Sequence, residues 1–205
     1  MNKLFKDIRH SDVDAVRAAI SKNIAVVNEV YTAKAPKKDI GQSPLQVAIK
    51  CGEFEIIELL LENGADPDFM ENPELVPPHS VCMSVLHDAI IGVFSSLCYE
   101  QYISSEKYVN LIEVLLKKGA NPNRKTSSKV LPIGTTVHQA EGILCHESAY
   151  PDIQEIARNR LFEVLDLLIK YGANKEEWLN QDFWGVSNKA VSYTHLRAHE
   201  TSQDL

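Results

Sequence analysis

This sequence of 205 residues is poor in the features that mark secreted and membrane-spanning proteins. Its four cysteines form neither a CxxC pair nor a dense framework, so we expect reduced thiols rather than disulfides. The richest apolar run, from Ala89 to Tyr99, is much shorter than the roughly 20 residues that cross a bilayer. No apolar signal-peptide core follows Met1.

The sequence also lacks an excess of basic residues, while its composition is that of an ordinary globular chain. Lys and Arg number 21 against 28 Asp and Glu, so the formal charge of −7 does not provide the basic surface that nucleic acids and anionic membranes attract. Hydrophobic residues make up 44% of the chain, as in folded domains. We therefore expect a soluble monomer of the cytoplasm, or alternatively of the nucleus, that binds neither nucleic acid nor membrane.

Three segments of the chain share a pattern of apolar pairs followed by Gly-Ala. They cover residues 54–68, 109–123 and 162–174. The apolar positions lie two and three, then six and seven, residues after the first column, which places them on one stripe of a helix that must be buried against a neighbour. The glycines at 64, 119 and 172 suit a left-handed position just after a helix, where a side chain would be strained.

A second pattern precedes each stripe and has the composition of a helix start. The run Ser43-Pro44-Leu45-Gln46-Val47-Ala48 aligns with residues 84–89 and 135–140. A Ser or Thr at the N-cap accepts a hydrogen bond from a free backbone N–H, and proline is tolerated at the first helical position. The alignment predicts that Ser43, Ser84 and Thr135 cap three first helices.

Together the two patterns resemble the ankyrin repeat family, in which Thr-Pro-Leu-His-x-Ala starts a first helix and Gly-Ala-Asp-x-Asn follows a second. The resemblance implies an all-α fold, an ankyrin-repeat solenoid of stacked antiparallel helix pairs with hairpin loops. About four repeats plus a truncated fifth are expected within one domain, residues 1–190. The expected units are 1–40, 41–79, 80–130, 131–180 and a partial 181–190. Residues 191–205 match neither pattern and are expected to be a disordered or foreign tail.

Several stretches depart from the family pattern. The glycines of the three stripes are roughly 50 residues apart, against a usual period of about 33, which predicts insertions or helix extensions near 92–107 and 142–159. The first unit resembles a capping repeat and has Asn23 in place of the glycine. After the last stripe, Trp178, Phe183 and Trp184 are predicted to fold back over its apolar flank.

The histidines and cysteines of this sequence form no catalytic or metal-binding pattern. His79 and Cys82 make one HxxC pair, but a structural zinc site needs a second close pair, so metal binding is the minor alternative to local packing. Cys51 follows a first helix with no histidine placed beside it by spacing, which favours a semi-buried thiol over a nucleophile. We predict a non-catalytic protein without cofactor or metal.

The resemblance therefore implies a protein-protein interaction module, a scaffold or adaptor that holds a protein partner with its hairpin tips and the concave face of its first helices. Phe69 and Met70 either anchor such a partner or pack under the proline-bearing loop that follows them. The alternative function is a targeting fragment of a larger enzyme or ubiquitin-ligase component. The candidate partner-binding residues are Asp68, Phe69, Met70, Glu71, Arg124 and Lys125 at the tips and Gln46, Lys50, Asp88 and Gln139 on the first helices.

Overall fold

The computed structural model describes residues 3–33, 39–145 and 151–179, together with the backbone of two short strands beyond them. The helices are α1 (Lys3–Arg9), α2 (Val13–Lys22), a 3-10 helix (Ile24–Asn28), α3 (Pro44–Cys51), α4 (Phe54–Glu62), α5 (Val85–Cys98), α6 (Tyr102–Lys117), α7 (Pro132–Leu144), α8 (Pro151–Lys170) and α9 (Lys175–Leu179). The strands are β1 (Asp182–Phe183) and β2 (Val186–Ser187), which pair antiparallel.

The long helices are stacked as pairs, and this arrangement confirms the expected all-α architecture. The first helices pack side by side, α1 on α3, α3 on α5 and α5 on α7. The second helices pack against their own partners, and α6 also packs against α8. One continuous apolar core runs from Leu4 in α1 to Trp178 in α9. In the ranges 3–33, 39–145 and 151–179, no helix is long and apolar enough to cross a membrane.

Two of the three predicted helix starts are confirmed, and the third is wrong. Ser43 Oγ accepts from the Gln46 amide at 3.2 Å, and Ser84 caps α5 in the same way. Thr135 lies inside α7, which begins at Pro132 because proline already has the helical φ of a first-turn residue. The counterpart of the Ser43-Pro44 start is therefore at 131–132, four residues earlier than the alignment placed it.

The predicted helix ends are confirmed at the glycines but not at Asn23. The φ angles of Gly64, Gly119 and Gly172 are 86°, 103° and 89°, in the left-handed region where a Cβ is strained. Asn23 has φ −154°, which is extended backbone. Its side chain instead accepts from the Ala25 amide at 3.2 Å and caps the 3-10 helix, since a short polar side chain serves as an N-cap.

The extra residues near 92–107 lengthen both helices of their pair. Helices α5 and α6 have 14 and 16 residues, whereas α3 and α4 have 8 and 9. Helices α7 and α8 are likewise long, although part of the predicted 142–159 insertion lies outside the described residues. The Ala89 to Tyr99 run therefore belongs mostly to a helix that is buried between α3, α6 and α7.

The last apolar flank is covered in part as expected. Trp178 is 5% exposed, and α9 packs against α7. The indole lies beside Gly134, where an added Cβ would be 3.5 Å from its ring. The side chains of Phe183 and Trp184, and the 191–205 tail, lie outside the described residues.

Neighbouring units are joined by a side chain from each hairpin tip. Asn28 donates to the Gly64 carbonyl at 2.9 Å and accepts from the Asp66 amide at 2.8 Å. Asn123 repeats both contacts two units further along, with the Gly172 carbonyl at 2.9 Å and the Asn174 amide at 2.7 Å. These bonds fix the spacing of the helix ends that they connect.

We expect Gly92→Ala to destabilise the fold. A Cβ at Gly92 would lie 2.5 Å from the Tyr108 ring, and the Tyr108 hydroxyl is held by its 2.6 Å bond to the Ile49 carbonyl. Overpacking costs about 1–3 kcal/mol, against about 1 kcal/mol that alanine gains over glycine in a helix. Denaturant unfolding measures the net change in the free energy of unfolding. The control is Gly142→Ala, which has open space around it and should gain stability. An equal gain in stability in both variants would contradict the close packing of Gly92 against Tyr108.

His87 provides a pH-dependent contribution to stability. It is fully buried at the start of α5, where Nε2 donates to the Val130 carbonyl at 3.3 Å and Nδ1 accepts from Ser84 Oγ at 2.8 Å. Burial lowers the pKa of His87 to about 4, although the bond to Val130 acts in the opposite direction. The folded state therefore keeps this imidazole neutral at pH values where an unfolded chain protonates it.

Acid should accordingly destabilise the protein through His87. The unfolded imidazole protonates near pH 6.5, so the stability contributed by the neutral ring is present above about pH 6.5 and is lost as pH falls to about 4, by about 3 kcal/mol. Relative to the unmodified chain, His87→Gln should regain stability across this window in urea unfolding at a series of pH values. The control His138→Gln, at an exposed histidine of α7, should give a parallel curve. If the unfolding free energy of His87→Gln also ran parallel to that of the unmodified chain across the pH range, His87 would not be the source of the pH dependence.

Candidate functional site

A cavity of about 550 Å³ lies between the first helices α3 and α5 and the long loop that joins α4 to α5. Its walls include Ile49 and Lys50 from α3, Asp88 and Ile91 from α5, and Val81 from the loop. Tyr108 closes one side from α6. A concave site of this size, with apolar walls and a few polar groups, is the usual form of a binding pocket.

The loop is anchored at both ends by a short antiparallel contact. The Glu71 amide donates to the Met83 carbonyl at 3.2 Å, and the Val85 amide donates to the Phe69 carbonyl at 3.0 Å. The backbones of Met70 and Ser84 form the bridge between these bonds. Residues 72–82, which include three prolines, are therefore held as a projecting cover over α3 and α5.

A charged cluster lies at the base of this cover. Lys50 Nζ is 3.2 Å from Glu71 Oε1 and 3.4 Å from Asp88 Oδ1. The two carboxylate side chains are only 6% and 3% exposed, whereas that of Lys50 is 35% exposed. Gln46 Nε2 donates to Asp88 Oδ2 at 2.9 Å and to the Met83 carbonyl at 3.1 Å. One buried network thus links α3, α5 and the loop.

Further hydrogen bonds place Glu71 at the centre of this network. Its Oε2 accepts from the Met83 amide at 2.8 Å, and its Oε1 accepts from Gln42 Nε2 at 2.9 Å. A carboxylate with several donors is stable when buried because its lone pairs are satisfied. The side chain at position 71 therefore ties the loop to the first helices.

Burial changes the protonation of the cluster. Desolvation raises the pKa of Asp88 to about 7, with Lys50 lowering it and Glu71 raising it further. Burial lowers the pKa of Lys50, but attraction to Asp88 and Glu71 outweighs this effect, so the net shift of the Lys50 pKa is upward. Lys50 is therefore cationic at neutral pH, while Asp88 changes its charge there.

The structure brings four of the sequence-predicted residues into this one cluster: Gln46, Lys50, Glu71 and Asp88. Sequence reasoning missed Gln42, Met83 and Tyr108, which also line the cavity. Gln42 precedes the N-cap Ser43 and lies outside α3, so helical spacing gave no signal for it. Met83 reaches the cavity only because the loop folds back over α3 and α5, and Tyr108 only because α6 packs beside it. No local sequence signal indicates either position.

The charged tip residues are bonded to other units of the array. Asp68 pairs with the Arg124 guanidinium and accepts from the Asn121 amide at 2.9 Å. Lys125 pairs with Glu177 of α9. These three charged side chains therefore connect neighbouring parts of the array, as Asn28 and Asn123 do through backbone groups.

The remaining predicted residues lie apart from the cluster. Phe69 is half-buried and packs against the core. Met70 is half-buried beside it. Gln139 is half-buried on α7.

The cysteine and histidine candidates are separate from one another. Cys51 Sγ lies 3.6 Å from Arg9 Nη1. Cys82 is buried, and desolvation raises the pKa of its thiol. Across the part of the chain that the structure describes, no three His, Cys, Asp or Glu side chains are grouped to hold a metal ion.

One unit of the chain matches the model of a known repeat family. The ankyrin repeat family model matches residues 40–72, the unit that contains α3 and α4. The helix pairs that stack on both sides of this unit are consistent with the ankyrin repeat fold. Ankyrin repeats are generally modules for protein-protein interaction.

A similar protein is the putative ankyrin repeat protein FPV222 of Fowlpox virus (strain NVSL). It is 26% identical to this chain over 145 residues, a match that covers 65% of this chain. The chain spans 18% of the length of that viral protein.

Asp88→Asn should change the pH dependence of stability in the direction opposite to His87→Gln. A folded pKa of about 7 lies above the ordinary value of 3.8, so the stability contributed by protonated Asp88 is present below about pH 4 and is lost as pH rises to about 7. The asparagine carbonyl keeps the bond to Gln46 without the charge. Relative to the unmodified chain, the variant should gain a few kcal/mol as pH rises through this window, measured by urea unfolding.

Glu58→Gln is the matched control, because Glu58 is an exposed acid on α4. Its unfolding free energy should follow that of the unmodified chain at every pH. A constant offset for Asp88→Asn between pH 4 and pH 7 would contradict the raised pKa.

Proposed function

We propose that this chain is a non-catalytic protein-interaction module, a scaffold or adaptor that holds a protein partner on its first-helix layer, over the cavity and the loop 72–82. The observation that carries the proposal is the cavity itself, which adjoins a loop that the fold holds in place. Leu75 and Val81 on this loop are 38% and 42% exposed, so apolar contact area adjoins the opening. Exposed apolar side chains beside a cavity are typical of protein-binding surfaces.

The proposal gives the hairpin tips a smaller part than the family pattern implies. The side chains of Asp68 and Arg124 satisfy each other, and Lys125 is paired with Glu177. A partner that used these charges would have to break bonds between units. The first-helix side, by contrast, offers a cavity whose charged groups are already fixed in position.

A non-catalytic role is part of the proposal. A nucleophilic thiol needs a lowered pKa and an adjacent base, whereas desolvation raises the pKa of Cys82. The alternative, a module that targets a catalytic or ubiquitin-ligase domain within a longer protein, stays a prediction, as does the location in the cytoplasm or nucleus.

Two exposed valines allow a matched test of the binding face. Val81 lies on the loop at the cavity, and Val114, 38% exposed, lies on the second helix α6. We expect Val81→Asp to lose the partner because it places an unpaired charge in the contact area, while Val114→Asp retains it. Affinity capture with each full-length variant, followed by quantitative mass spectrometry, measures this difference.

Both substitutions add the same charge to the surface, so a nonspecific effect of charge would appear equally in both. Circular dichroism should show the same helical content as in the unmodified chain. A protein captured by all three chains, or lost only with Val114→Asp, would contradict binding on the first-helix layer.

A further inference from the structure

We propose that the cavity beneath the loop 72–82 binds the cationic side chain of a lysine or arginine from the partner protein. This inference rests on the proposed function and specifies the chemistry of the group that the partner inserts. It follows from the charges that line the cavity, from an unsatisfied acceptor beside them and from the apolar walls.

The charges of the lining favour a cation. The carboxyl groups of Glu71 and Asp88 and the ammonium group of Lys50 face the cavity. With both carboxylates ionised, one negative charge is left without a matching cation in the lining. Such an excess is costly in a buried place and becomes favourable when a second cation enters.

Unused hydrogen-bond acceptors in the cavity also favour a cationic ligand. Gln42 lines the cavity and is 6% exposed, and within the described residues its buried Oε1 has no hydrogen-bond partner, while its Nε2 is used by Glu71. A carboxylate has about four lone-pair positions, so Glu71 and Asp88 retain acceptor sites beyond the bonds that they already make. A group rich in N–H donors would satisfy these acceptors.

The walls suit the carbon chain of a lysine or arginine. Ile40, Ile49, Val76, Pro77 and Ile91 provide apolar surface around the polar groups. Lysine and arginine carry a charged head on an aliphatic stem, which packs along apolar surface while the head makes polar contacts. A cavity of about 550 Å³ has room for one such side chain.

The titratable groups of the lining predict how the affinity for a cation changes with pH. Asp88 on α5 faces Lys50 and Gln46 of α3 and Glu71 of the loop, and Tyr108 of α6 is the other titratable group in the lining. Since the pKa of Asp88 is raised to about 7, the excess negative charge develops as pH rises through neutrality. A cation should therefore bind more tightly at about pH 8 than at about pH 6.

The direct experiment titrates the full chain with short capped glycine peptides that differ only in a central arginine, lysine, citrulline or glutamate. Chemical shifts of backbone amides report occupancy, with those of Gln42, Lys50 and Met83 as markers for the cavity. We expect saturable shifts at these amides with arginine and lysine, and at least about tenfold weaker binding of citrulline, which has the shape of arginine without its charge.

Asp88→Asn should weaken arginine binding at least about tenfold and abolish its pH dependence, whereas Glu58→Gln, with the same change in net charge on α4, should leave both unchanged. The citrulline comparison uses the unmodified chain, so it tests the requirement for positive charge even if Asp88→Asn fails to fold. Equal binding of citrulline and arginine, or no shifts at the cavity amides, would overturn the inference. If the Val81-dependent partner is captured but these peptides do not bind the cavity, the proposed function stands and the cationic ligand is wrong.

Discussion

Each helix pair of this chain has an apolar face that only the next pair can cover, and the remainder of the structure depends on that constraint. The stripes of α4, α6 and α8 and the first helices between them form one core in which Leu60, Ile112 and Val164 are fully buried. A solenoid of this kind has little long-range packing, so its stability is close to a sum of contacts between neighbouring units. The bonds that Asn28 and Asn123 make to the next unit reinforce the same contacts.

The same stacking creates the cavity. Because α3 and α5 lie side by side, Lys50 and Asp88 meet across the boundary between two units, although they are far apart in the chain. The long loop between α4 and α5 then brings Glu71 and Met83 over this boundary. Buried charge is expensive unless it is paired, and here the pairing joins α3, α5 and the loop, adding to the hydrogen bond between Gln46 and the Met83 carbonyl. This cluster is thus a connection between units that also lines the cavity.

The sequence predicted the features that depend on local physics. Helix caps at Ser43 and Ser84 and the left-handed glycines follow from the preferences of single residues, and they are confirmed. The predicted cap at Thr135 is wrong because Pro132 is a stronger helix-start signal than the pair Thr135-Thr136. Asn23 adopts extended backbone because its side chain caps the following 3-10 helix.

The cluster itself could be predicted only in part. The sequence pattern predicts residues 46, 50 and 88 as first-helix positions and residue 71 as a tip position, but no local feature indicates that Glu71 folds back onto α3. That contact depends on the antiparallel pairing of residues 69–71 with 83–85 across an irregular loop. The pairing of Asp68 with Arg124 depends likewise on the distance between successive tips.

Native-state hydrogen exchange of Ile112→Ala tests most directly the claim that neighbouring pairs depend on each other. Ile112 is fully buried in α6, and its truncation should cost about 2–5 kcal/mol in the central unit. The account predicts that amide protection falls in α5 and α6 and also in the neighbouring helices α3 and α7, because each loses the face that covers it. Protection lost only within α5 and α6, with α3 and α7 unchanged, would contradict it.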